Sequence, residues 1–201
     1  MKVEENKKVN ALILAAGNSK RMNAAKPLLK FNQTTTFIEK IISSYLQFGC
    51  NQVVIVVNSE NEETIRKFQT NNITIVANEN LELERFYSAK LGFQKMQDCD
   101  FCFLQDADNP FISKDILTYV YSENLVDQYI IPSYKGKGGH PILLPKSIIH
   151  DLQKYPKQNA NLKEFLSEYK SYKLEIPNKD ILININTPED YNFYFNSLLE
   201  K

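Results

Sequence analysis

The chain has no net charge: 24 Lys and Arg balance 24 Asp and Glu over 201 residues. Without a surplus of either sign, no long-range field draws it onto nucleic acid or an anionic membrane, so an anionic ligand must be met by a local cluster of cations. Cysteine is also scarce. Cys50, Cys99 and Cys102 are odd in number and lack a pair of Cys-x-x-Cys motifs, which argues against a disulfide framework and against structural zinc. The expected compartment is the reducing cytoplasm. Long apolar runs are missing too. The opening MKVEENKK is polar, and nothing behind it is long enough for a signal peptide or a membrane span. Residues 1–8 are expected to form a flexible start and residues 9–201 a single domain, of a size that buries roughly 70% of the surface its unfolded chain exposes. Neither GxxxxGK[ST] nor GxGxxG occurs, so a P-loop and a dinucleotide fingerprint are excluded.

What is present is an alternation of apolar runs and helix-like segments. Val9–Leu14, Gln52–Val57, Ile73–Val76, Phe101–Leu104 and Tyr129–Pro132 read as strands. Thr36–Phe48, Glu62–Thr70, Leu83–Met96 and a segment capped by Ser113 read as helices. Strands alternating with helices imply a mainly parallel sheet covered on both faces. After Gly136 the rhythm weakens to a short strand at Pro141–Leu144, short helices at Lys146–Gln153 and Leu162–Tyr169, strands at Tyr172–Ile176 and Asp180–Ile185, and a closing helix over Pro188–Leu199.

In such a sheet, ligands lie beyond the carboxyl ends of the strands, which directs attention to the segments that follow each one. After the first strand, Leu14, Ala15, Ala16 and Gly17 let a ligand lie against the backbone, and two long cations, Arg21 and Lys26, follow. Arg offers a planar fork for two phosphate oxygens, whereas Lys is a mobile point charge. After the fourth strand, Asp106 and Asp108 offer hard oxygen ligands of the kind that hold Mg²⁺ beside substrate phosphates. Both also suit a turn. Near the end, Asn184 and Asn186 alternate with Ile183 and Ile185, which points both amides to one face, and Thr187 is placed to cap the closing helix. Arg85 and Ser88, at the start of the helix after Asn78, could meet a nucleotide. The stretch Lys135–Pro141, with three Gly and His140, reads equally as a loop that closes on an acceptor and as a hairpin turn.

Taken together, these residues resemble the MobA-like nucleotidyltransferase family, which includes the molybdenum cofactor cytidylyl- and guanylyltransferases. Leu14 to Leu29 matches the family pattern LAAGxSxRMGxxKxLL, with Ser19, Arg21 and Lys26 in place and Asn23 where the family has Gly. Asp108-Asn109-Pro110 matches its D-x-P element, Gly139 to Leu144 resembles GHPVLF, and Asn186 to Tyr191 resembles the closing (D/N)TPEDY.

The resemblance implies a three-layer α/β/α, Rossmann-like (GT-A-like) nucleotidyltransferase fold with a mainly parallel mixed sheet. It implies an enzyme that moves a nucleoside monophosphate from CTP or GTP to a phosphorylated small molecule such as the molybdopterin cofactor, releasing pyrophosphate. Leu14, Ala15, Ala16, Gly17, Ser19, Arg21, Lys26, Asn78, Arg85 and Ser88 would hold the nucleotide. Mg²⁺ would sit on Asp108 with Asn184 or Asn186, and with Asp106. Arg21, Lys26 and Asp108 would carry the chemistry, Lys26 at the α-phosphate and Arg21 at the leaving pyrophosphate. Ala16 and the Gly-His-Pro element favour CTP, while the Asn-Ile-Asn-Thr-Pro tail resembles the guanylyl branch. The stretch Leu83–Gly92 replaces the Gly-Met-Ser-rich segment of typical cytidylyltransferases, which opens the choice of acceptor. Nucleic acid and membrane are not expected partners, and the expected state is a monomer or homodimer. A sugar- or polyol-phosphate nucleotidylyltransferase and a non-catalytic nucleotide-binding protein are the alternatives.

Overall fold

In a computed structural model, which describes residues 7–17, 21–22 and 24–199, the chain forms a three-layer α/β/α sandwich. The strands are β1 (Val9–Ala15), β2 (Val53–Val57), β3 (Ile73–Ala77), β4 (Phe101–Asp106), β5 (Tyr129–Tyr134), β6 (Lys137–Gly138), β7 (Ile142–Pro145) and β8 (Ser171–Glu175). The helices are α1 (Phe37–Phe48), α2 (Ser59–Arg66), α3 (Glu84–Gln94), α4 (Lys114–Glu123), α5 (Lys146–Lys154), α6 (Leu162–Ser167) and α7 (Pro188–Leu199). Of the expected flexible start, residues 1–6 lie outside the described residues, while Lys7 and Lys8 bond to Asn124 and Asp100.

The described strands make one mixed sheet in the order β3-β2-β1-β4-β7-β5-β6, with β8 beside β5. β1 to β4 are mutually parallel, β7 runs antiparallel to β4 and β5, and β8 is parallel to β5. Strand alternation divides the core. Ala11, Ile13, Val53, Ile55 and Phe103 face one side and meet Ile41 and Tyr45 of α1 and Leu117 of α4. Leu12, Val54, Val56, Cys102 and Leu104 face the other and meet Phe86 and Phe93 of α3, Leu152 of α5 and Phe165 of α6. Every residue of β1 and β2 is buried, as a strand covered on both faces requires.

Local chemistry sets the boundaries. Thr36 and Glu39 form a reciprocal capping box on α1, and Gly49 closes that helix in the left-handed region at φ 105°. Asn58 and Asn61 cap α2 in the same way, so this helix begins three residues before the expected Glu62 and ends at Arg66. Gly92 lies on the inner face of α3. A Cβ there would collide with Leu12 Cδ1 and come within 2.9 Å of Val56 Cγ2, so the absence of a side chain lets α3 lie close on the sheet.

Two expectations are altered. Asp180–Ile185 is not a strand: Lys179–Leu182 is a 3-10 turn capped by Asn178, and the chain beyond it is irregular. Its backbone groups bond to loops instead of a ladder, with Ile181 O accepting from His140 N at 3.0 Å and Ile185 N donating to Asp108 O at 2.8 Å. The Lys135–Pro141 stretch resolves as a β5–β6 hairpin turning at Lys135 and Gly136, both at positive φ.

A third cluster, Phe37, Ile185 and Phe195 with Phe31, Phe111 and Tyr191 around them, fastens α7 against the start of α1. The rings of Phe111 and Tyr191 both stack on Phe195. The tail thereby returns to the end of β4. No helix among the described residues is long and apolar enough to cross a membrane.

Candidate active site

The chain passes outward from β1 to β2 to β3 and then crosses back to lay β4 on the other side of β1. This reversal parts the loops that leave β1 and β4, and a crevice opens between them. A cavity of about 770 Å³ lies there. It is lined by Leu14, Ala15, Ala16, Gly17, Arg21 and Lys26 from the β1 side, and by Asp106 and Asp108 beyond β4. Asn78, Arg85 and Ser88, and on the remaining side His140, Asn184 and Asn186, complete it. Every sequence-derived candidate except Ser19 is therefore brought to one cavity. Ser19, like Asn23, lies outside the described residues.

Lys26 ties the two ends of the chain together at this point. Its Nζ donates to Asn186 Oδ1 at 2.8 Å and lies 3.5 Å from Asp108 Oδ2. Burial, and after it the neighbouring Asp106 carboxylate, push the Asp108 carboxyl above the usual aspartate value, against the opposing pull of Lys26 and His140. Asp106 ends β4 opposite Leu14, and its Oδ2 takes a different cation, Arg85 Nη2, at 2.7 Å. His140 Nε2 stands 3.5 Å from the same oxygen, while its Nδ1 is buried with no hydrogen-bond partner among the described residues. Two carboxylates separated by one residue thus each meet a cation from a different element.

Buried amides that are not among the sequence-derived candidates hold this arrangement. Asn61 Nδ2 donates to Ala15 O at 2.9 Å, and Asn58 Nδ2 reaches Ala16 O and Gly17 O at 3.4 and 3.5 Å. The carbonyls of the β1 loop are thereby directed toward α2. Gln105 Nε2 donates to Asp106 O and Asn109 O, and the Tyr45 hydroxyl donates to Gln105 Oε1. Asn109 Nδ2 in turn donates to Ile181 O. The available signal was the Asn58-x-x-Asn61 cap; nothing local marks Gln105 or Asn109 as buried. Ser88 is equally enclosed, accepting from Asn78 Nδ2 at 2.9 Å and donating to Glu84 O. At the foot of α7, Thr187 Oγ1 accepts from Asp190 N while Asp190 Oδ2 accepts from the N–H groups of Asn186 and Thr187, which fixes the approach of Asn186.

No group of three or more His, Cys, Asp or Glu side chains suited to a metal occurs among the described residues. The oxygen donors of Asp108, Asn184 and Asn186 line one cavity, and such a hard, low-charge set fits Mg²⁺ that takes its remaining ligands from phosphates. The cysteines contribute nothing to it. All three are buried away from the cavity, and burial raises each thiol, Cys99 to about 12.

Residues 11–173 match the model of the MobA-like NTP transferase domain. The chain belongs to this family. It is 31% identical to the molybdenum cofactor cytidylyltransferase of Escherichia coli over 91% of its length and 93% of that protein's. It is 27% identical to a 2-C-methyl-D-erythritol 4-phosphate cytidylyltransferase of Fusobacterium nucleatum, covering 94% of this chain and 74% of the relative. Among solved structures, a nucleotidyl transferase from Methanothermobacter superposes with a TM-score of 0.77 at 20% identity, over 98% of this chain and 99% of that one. The MobA-like chain is thus a nucleotidyltransferase, on the mainly parallel mixed sheet expected from its sequence.

Proposed function

We propose that the chain transfers a nucleoside monophosphate, with CTP as the preferred donor, to a phosphorylated small-molecule acceptor such as molybdopterin, and that the reaction depends on Mg²⁺. The observation that carries this reading is Lys26, whose ammonium joins the β1 loop, Asp108 and Asn186 within one cavity. A phosphate oxygen of the acceptor bonds to the α-phosphorus as the bond from that phosphorus to the bridging oxygen breaks, and pyrophosphate departs with the electron pair. The attacking group is already an anion, so the protein's work is alignment and neutralisation. Lys26 steadies charge on the α-phosphate and Arg21 meets the pyrophosphate. Asp108, Asn184 and Asn186 would hold Mg²⁺, which supplies charge neutralisation across the phosphate oxygens.

Ala16, small and lining the cavity, supports the choice of CTP, as does the likeness to the Escherichia coli cytidylyltransferase. The Fusobacterium relative favours a second reading, transfer of CMP to a polyol phosphate. Pyrophosphate release, measured with CTP, GTP and UTP against molybdopterin and a panel of polyol and sugar phosphates, separates the two. Turnover with CTP and molybdopterin is expected. Asp108→Ala should lower that turnover by about a thousandfold or more, the scale of losing a metal's contribution to charge stabilisation. Full turnover by this variant, or turnover without divalent cation, would overturn the proposal.

A further inference from the structure

The cavity contains a pair of donors to which the proposed transfer assigns no step, although the family resemblance counts Arg85 among the nucleotide's contacts. Arg85 and His140 come from separate elements, α3 and the β6–β7 connection, and converge on one oxygen, Asp106 Oδ2. An attractive contact from His140 Nε2 to a carboxylate needs its proton on that nitrogen, so guanidinium and imidazole both present N–H groups to one anionic point. Arg85 is 56% exposed, which leaves its other nitrogens available to a second acceptor. The residue before it, Glu84, sits at φ 55° and ψ −155°, a conformation that a non-glycine residue holds at a cost and that recurs where a side chain must be aimed.

We propose that Arg85 and the Nε2–H of His140 form a second anion subsite, which takes the phosphate of the acceptor, and that Asp106 occupies it as an internal placeholder until that phosphate arrives. This assignment rests on the nucleotidyl-transfer reading, in which Arg21 and Lys26 are committed to the donor triphosphate. The acceptor's phosphate would be repelled by that triphosphate and therefore needs a cation of its own. Among the described residues that line the cavity, Arg85 with His140 is what remains. A phosphate monoester offers oxygens enough to hold the guanidinium fork and the imidazole together, which a single carboxylate oxygen does less completely. Displaced from Arg85, Asp106 repels the incoming group and limits occupancy to anions of sufficient charge.

The test is titration with inorganic phosphate, followed by calorimetry in chelator, using protein that carries Arg21→Gln and Lys26→Gln so that both donor-side cations are silent. Adding Arg85→Gln should weaken phosphate binding at least about tenfold, the scale of a charge-assisted hydrogen bond. Adding Asp106→Asn should tighten it about fivefold, since the isosteric amide releases Arg85 without its charge. Equal affinities in the two variants, or weaker binding on loss of Asp106, would overturn the subsite. A second arm adds saturating CTP and Mg²⁺ to the unmodified chain. The phosphate that binds beside CTP should be weakened about tenfold by Arg85→Gln, and absence of such a CTP-tolerant site would assign Arg85 to the donor and overturn the acceptor assignment. If CTP binds to no form of the chain, the nucleotidyl-transfer reading fails by itself, while the first arm still decides whether the subsite exists.

Discussion

Two walls of one cavity hold acid–base pairs of similar composition and different character. On the wall formed by the β1 loop and the tail, Lys26 meets Asp108 with 15% and 24% of their side chains exposed, and the lysine is also bonded to Asn186. On the α3 wall, Arg85 meets Asp106 with more than half of the arginine in water. Desolvation strengthens the first pair's electrostatics and makes ionised Asp108 costly to keep. In the second pair Asp106 is as enclosed as Asp108, but its partner is screened by water and is freer to exchange partners. One wall is built to be fixed before substrate arrives, the other to change hands.

After Asp108→Ala, the largest expected effect also lies on the fixed wall. Lys26→Gln should lower kcat about 10²- to 10³-fold, because its charge is offered where negative charge grows in the transition state; steady-state pyrophosphate release measures this. A rise confined to the nucleotide KM would make the two walls alike. Next comes the joint beneath the α3 wall. A Cβ on Gly139 would strike the Ile181 carbonyl, the same oxygen that accepts from His140 N and Asn109 Nδ2. Gly139→Ala should therefore cost about 1–3 kcal/mol in urea unfolding. An unchanged midpoint would show that tail and hairpin are not braced there. On the same wall Glu84→Gly should stabilise the chain by about 1 kcal/mol, since glycine adopts φ 55° without strain. A fall in Tm would show that the Glu84 side chain contributes more than its backbone costs.

The smallest effect is a pH dependence. The folded state raises Asp108 above its unfolded value, so its contribution is complete below the unfolded pKa and is lost as pH rises through the folded one. Asp106 reinforces the shift while Lys26 and His140 oppose it. In chelator, Asp108→Asn should melt higher than the unmodified chain at pH 7, and the gap should close as the solution is acidified through the aspartate range. A gap independent of pH would mean that packing, and not charge, sets it.

Much of this was legible in the sequence where chemistry and chain order coincide. The β-α-β rhythm follows from apolar periodicity, and the Leu14–Lys26 and Asp106–Asp108 segments are recognisable because each follows an apolar strand directly. The tail was harder to read. Ile181, Ile183 and Ile185 alternate as a strand would, but Ile181 and Ile185 are buried beside loops and their backbone groups pair with His140 and Asp108. Periodicity reports which side chains are buried and is silent on whether a ladder partner exists. Gln105, Asn109, Asn58 and Asn61 escaped for a related reason. An amide is a turn former on the surface and a scaffold in the interior, and only the folded chain distinguishes the two. The Arg85–Asp106 pair spans 21 positions and depends on how α3 lies against the sheet.

That packing gives Gly92 a significance beyond the core. Ser88 is one helical turn earlier, so the two residues share a face of α3, and Ser88 lines the cavity while Gly92 rests against Leu12 and Val56. A side chain at Gly92 would act as a shim, lifting the helix and carrying Ser88 away from Asn78. The breadth of the cavity between α3 and the β1 loop is thereby gauged by a residue outside its lining.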